Sequence, residues 1–220
     1  MRIFRHEQNK IINFVGDANM LTKNVWITGS GSCTFDITDS RFLAILNTDA
    51  QYMDIEVAGT DSLSQPFAYS ERVYFTYGTT DTLVNNEFAK FQDQIIDFEA
   101  FLINASVTIT LDSEDSRVGL LLAGYFTEFG TAMQDGFSKQ SLNTFLKGRS
   151  ASKKAYKMSA KINDYQAMER MFTENVGEFF IAAIPSKKHG GFFTEYGRVD
   201  LKSVTMRNPS DVYFNLEVQR

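Results

Sequence analysis

Two stretches of the sequence can be laid over one another without a gap: FDITDSRFLAILNTDAQYMDIEV from Phe35 and AKINDYQAMERMFTENVGEFFIA from Ala160, 125 residues apart. Few letters are identical, so the match rests on chemistry at equivalent positions. Ile37 and Ile162 end a strand-like run. Thr38 and Asn163 follow, each with a side chain that accepts from free backbone N–H groups at a helix start, and Asp39 and Asp164 then set a negative charge in the first turn. Apolar residues come next at helical spacing, Phe42, Leu43 and Leu46 in one copy and Ala167, Met168 and Met171 in the other. Thr48-Asp49 and Thr173-Glu174 return the chain to solvent, and the runs QYMDIEV and EFFIAAI close the two copies, the second stopped by Pro185. A further echo sets Arg72-Val73 and Arg198-Val199 at the start of another strand. The pattern predicts a duplicated unit of strand, short helix and strand, with residues 25–78 and 155–218 sharing a fold.

Bulk properties narrow the class. A chain of 220 residues, 43% hydrophobic and with 20 phenylalanines, buries a substantial core and belongs with β-rich globular proteins. Its net charge of −5 argues against a surface that grips nucleic acid through phosphates. One cysteine, Cys33, excludes an intramolecular disulfide and a multi-cysteine zinc site, as expected of a reducing compartment. The opening MRIFRHEQNKIINF lacks the apolar core of a signal peptide, and no run has the roughly 18 apolar residues of a membrane span, so no membrane anchor is expected.

Along the chain, KIINFV and NVWITGSGSCTFDI read as strands, with a bend at Gly29 and Gly31. GTDSLSQP reads as a loop and AYSERVYFTYG as a strand. Over residues 84–103 the period changes: Phe88, Phe91, Ile95, Phe98 and Leu102 recur every three or four positions, which predicts a long amphipathic helix. SVTITL is a strand, DSEDS a turn, and RVGLLLAGYF a buried element of either type. Residues 131–154 read as irregular and end in the basic KGRSASKK, an exposed loop. RVDLKSVTM and VYFNLEV form a closing hairpin turned at Asn208-Pro209. The predicted fold class is therefore α+β, predominantly antiparallel β, with segments 1–83 (first unit), 84–154 (helix, strands and basic loop) and 155–220 (second unit).

No pattern of catalytic residues emerges. GSGSC lacks a following Gly-Lys-Ser/Thr and reads as a bend rather than a phosphate cradle. Cys33 has no spacing that ties it to His6 or His189 as a nucleophile and base, and reads as a buried thiol. The histidines stand 183 positions apart without ligand-like neighbours, and DSEDS lacks the glycine and terminal glutamate of a calcium loop. No catalytic residue, cofactor or metal is expected.

The ending MSAKINDYQAMERMFTENVGEFFIAAIPS…GRVDLKSVTM…VYFNLEV resembles the C-terminal half of tailed-bacteriophage tail tube and tail-tip proteins in its order of strand, short helix, strand with a glycine-aromatic start, loop and β-hairpin. The resemblance implies β-sandwich or half-barrel units with a packed helix, and a non-enzymatic virion protein. It also implies a ring around the genome channel, a trimer if both units contribute or otherwise a hexamer. Its partners would be copies of itself and other tail or baseplate proteins, with DNA passing nearby but not specifically bound. Such a chain is made in the host cytoplasm and ends in the virion. The basic Lys147, Arg149, Lys153 and Lys154 are then expected to meet an acidic surface of a neighbouring copy. The rival readings are a receptor- or carbohydrate-binding tail-tip module, which needs exposed aromatics in a groove, and a cell-wall hydrolase, which needs clustered carboxylates or a Cys-His pair.

Overall fold

The computed structural model describes residues 1–22, 31–75, 92–146, 149–186, 191–208 and 210–219. These are mostly antiparallel β with one α-helix, as the sequence implied at that level. The chain divides into two compact units, Gln8–Tyr125 and Met1–Glu7 with Phe126–Arg220, boundaries that differ from the three segments expected. Strand β1 (Arg2–Arg5) belongs to the latter unit.

The unit Gln8–Tyr125 contains β2 (Ile11–Val15), β3 (Ser32–Thr48), β4 (Tyr52–Asp61), β5 (Pro66–Tyr74), β6 (Gln92–Leu111) and β7 (Val118–Gly124). They form one antiparallel sheet in the order β2-β3-β6-β4-β5, with β7 also on β3. Alternating residues such as Phe35, Ile37, Ile55, Val57, Val107 and Ile109 point to one buried face. Strands β4 and β6 approach so closely at Gly59 that a Cβ there would lie 2.2 Å from the Asn104 carbonyl oxygen, so only glycine fits.

Here the expected first helix is absent. Residues 39–48 continue β3, which is paired with β6 on one side and with β7 on the other. Phe42 to Leu46 are all buried, so this central strand is covered on both faces. Such a strand is apolar without alternation and matches a buried helix in composition, which is why Phe42, Leu43 and Leu46 mimicked helical spacing. Asp39, expected in a first helical turn, has a φ of 42° within β3, just before the register shift between Ser40 and Phe42. The duplication of strand, helix and strand is therefore not present.

The expected helix over 84–103 is also corrected. Phe88 and Phe91 lie outside the described residues, and from Gln92 onward the chain is strand β6. Ser40 lies opposite Leu102 and Phe42 opposite Asp97, so four residues of β6 bulge against the single Arg41. Glu99, in that bulge, has a φ of 57° and donates its N–H to the Asp97 carboxylate. Phe98 and Leu102, four apart, fall on the same face of a strand as well as on the same face of a helix, and both are buried in the core.

The other unit adds β8 (Thr127–Glu128), β9 (Thr131–Leu146), β10 (Arg149–Lys161), α1 (Ile162–Glu174), β11 (Phe180–Ser186), β12 (Gly191–Asn208) and β13 (Asp211–Gln219). Its antiparallel sheet runs β8-β1-β11-β12-β13-β10-β9. The element order read from 155–220 is found as predicted, except that β11 runs one residue past Pro185, which pairs opposite Phe192. Helix α1 lays Tyr165, Met168 and Phe172 on the sheet, the Tyr165 ring 5.4 Å from Phe214 and the Phe172 ring edge-on to Phe180 at 5.1 Å. Asn163 lies inside the first turn rather than capping it, the Ile162 N–H being taken by the Ser210 carbonyl at 3.0 Å.

Residues 131–146 and 149–161 are the strands of a hairpin, not an irregular stretch and a loop. Polar and basic residues concealed the strand because, among the residues whose burial is described, only Tyr156, Met158 and Ala160 show the buried alternation that marks β10.

Candidate assembly surface

The four basic residues expected at a subunit contact are placed differently from one another. Lys147 lies outside the described residues. Arg149 opens β10 opposite Leu146. Lys153 and Lys154, adjacent in β10, point to opposite faces of the sheet. The Lys153 Nζ is 2.6 Å from the Glu217 carboxylate at the sheet surface. The Lys154 Nζ is 2.6 Å from Glu195 Oε1, which also accepts from the Tyr156 hydroxyl.

Glu195 is only 4% exposed, so the Lys154 pair is formed largely away from water. Its other oxygen, Oε2, is buried with no hydrogen-bond partner among the described residues. This cluster was missed in the sequence because Glu195 sits in a strand with no charge pattern around it, and only the fold brings it to residues about 40 positions away. Lys153 and Glu217, from the other pair, line a groove of about 550 Å³ between the C-terminal turn of α1 and the sheet, together with Phe172, Val176, Arg198 and Asp200. Arg198 lies over the Phe179 ring at 5.5 Å.

In the unit Gln8–Tyr125 a cleft of about 590 Å³ opens between β5 and β6. Phe67 and Tyr69 stand edge-on to Phe98, at 6.1 and 5.8 Å. Glu71, Arg72, Asp97 and Glu99 are the charged residues of its lining, and the Tyr69 hydroxyl donates to Glu71. Burial, helped by that carboxylate, raises the Tyr69 phenol above its usual range. On the outer face of β5, Arg72 forms a two-pronged pair with Asp54 at 2.7 and 2.8 Å and covers the Tyr52 ring at 4.4 Å. This bond holds the Asp54 carboxyl below the usual carboxylate range.

Residues weighed for catalysis do not converge. Cys33 is buried in the core of Gln8–Tyr125, and burial pushes its thiol up to about 12. His6 is buried in the other unit, its Nδ1 2.8 Å from the Tyr196 hydroxyl, and His189 lies outside the described residues. Asp112 of DSEDS tethers a turn, accepting from the Gln51 N–H and the Ser116 hydroxyl. Among the described residues no group of three His, Cys, Asp or Glu side chains is placed to hold a metal, and no helix is long and apolar enough to cross a membrane.

No protein-family model matches the chain, and no curated protein matches it. Among solved structures, a chain of the "X-ray crystal structure of reduced XRCC1 bound to DNA pol beta catalytic domain" is similar at 10% identity and a TM-score of 0.32, over 57% of this chain and 99% of that one. A likeness of that size carries no argument about fold or function.

Proposed function

We propose that the chain is a structural virion protein of a tailed bacteriophage, forming a closed ring in the tail tube, tail tip or baseplate around the genome channel. The observation that carries this reading is the run β10, α1, β11, β12 and β13, a strand, a helix packed on the sheet, and a strand leading into a hairpin. This is the element order of the tail tube and tail-tip proteins that the ending of the sequence resembles. In this reading the tube-like unit is the one that carries α1, and the unit Gln8–Tyr125, without an α-helix among its described residues, is its companion in the ring. The protein acts through association with copies of itself and with other tail proteins, in the virion and without catalysis. Negative-stain microscopy of the purified chain tests this: closed rings of uniform diameter are expected, and dispersed single particles at every concentration overturn it.

A second reading, a receptor- or carbohydrate-binding tail-tip module, is favoured by the cleft in which Phe67 and Tyr69 stand beside Glu71 and Asp97. Aromatic faces beside carboxylates are what a sugar ring requires. A glycan array separates the two: binding that is lost on Tyr69→Ala favours this module, and an array without a hit removes it.

A further inference from the structure

Charge is divided unevenly between the two units. Gln8–Tyr125 holds sixteen Asp and Glu against six Lys and Arg, a net −10, while Met1–Glu7 with Phe126–Arg220 holds eleven against sixteen, a net +5. Together these give the −5 of the whole chain. The modest total therefore conceals two strongly and oppositely charged bodies.

The acidic excess is on the surface. Arg41, Arg72 and Arg117 are each already paired, with Asp97, Asp54 and Asp49. Glu56, Glu71, Glu99, Glu114 and Asp115 are exposed and make no ion pair among the described residues. Two of them, Glu71 and Glu99, line the cleft between β5 and β6. In the basic unit, antiparallel pairing gathers cations at one end of the seven-stranded sheet. Gln219, at the end of β13, lies opposite both Lys153, which is paired with Glu217, and Arg198, and Arg149 opens β10 four residues before Lys153.

We propose that a second copy of this chain is the partner of the acidic cleft: the basic sheet end of one copy docks on the Glu71 and Glu99 rim of the next. Two identical acidic faces repel, as do two identical basic ends, so contact between like faces is disfavoured and contact of the acidic rim of one copy with the basic end of another is favoured; repeated head to tail, such contacts close rings. This inference rests on the ring reading and gives it a surface and a driving force.

The test is sedimentation velocity of the full chain over a dilution series, in low salt and in about 1 M NaCl, where the screening length falls to about 3 Å. Self-association is expected to weaken roughly tenfold or more with salt, and as strongly in low salt for Glu71→Lys with Glu99→Lys and for Arg149→Glu with Arg198→Glu. Mixing the two double variants is expected to restore association, because the unchanged basic end of the first then meets the unchanged acidic rim of the second. Far-UV dichroism and a cooperative melt establish that each variant is folded, and the mixing experiment keeps the conclusion independent of any one variant. Oligomers that persist in both variants and in high salt overturn this proposal and leave the ring reading standing. A wild-type chain that stays monomeric throughout overturns both.

Discussion

Residues 35–48 and 160–174 carry nearly the same pattern of turn-forming, acidic and apolar residues, yet one is a strand and the other turns from strand into helix. In β3 the apolar run pairs with β6 on one edge and with β7 on the other and is buried on both faces. In α1 one face is exposed, with Gln166, Ala167, Glu169 and Arg170 in solvent, so only a stripe at helical spacing is apolar. The lesson is that a helical apolar stripe is informative only when the intervening positions are polar. Leu43, Ala44 and Ile45 are apolar without interruption, whereas Gln166, Glu169 and Arg170 interrupt the second run.

The comparison can be broken most forcefully at its centre. Ala44 pairs with Ile95 on one side and Leu122 on the other. Ala44→Pro is expected to cost about 3 kcal/mol or more by removing a ladder donor in a central strand, with loss of soluble folded protein as the readout. Retention of full stability would show that the segment is not a central strand. Leu43→Ala and Met168→Ala, at fully buried sites in the two regions, are each expected to cost about 2 to 5 kcal/mol in denaturant melts.

A contrast of similar kind sharpens the account of the basic residues. Lys154→Ala strands the buried Glu195 carboxylate and is expected to cost about 3 kcal/mol. Lys153→Ala breaks a more exposed pair and is expected to cost less than about 1 kcal/mol. Equal effects would contradict the opposite facing of the two side chains. Gly59→Ala follows, at about 1 to 3 kcal/mol, from the collision with the Asn104 carbonyl. The smallest effect concerns Cys33, whose raised pKa and burial leave almost no thiolate near pH 8. Iodoacetamide is expected to leave the native chain unlabelled at that pH and to label it only in denaturant.

What the sequence made legible followed the strength of its local signals. The elements from residue 155 to the end of β13 were readable because α1 has polar interruptions and β13 alternates cleanly, with Val212, Phe214, Leu216 and Val218 buried. The turn at Asp112 was readable from its own short-range chemistry. The strand character of 39–48 and 92–103 was not, because one run is buried on both faces and in the other Phe98 and Leu102, four apart, satisfy helical and strand spacing alike. The Lys154, Tyr156 and Glu195 cluster was illegible for a different reason: its parts meet only through the pairing of β10, β13, β12 and β11.

Native mass spectrometry of the purified chain at low salt tests the central claim most directly, because a closed ring has one stoichiometry. The account predicts a discrete species at three or six times the 24.9 kDa chain mass, with few intermediates. A monomer at every concentration, or an open ladder of sizes with no preferred closure, would contradict it.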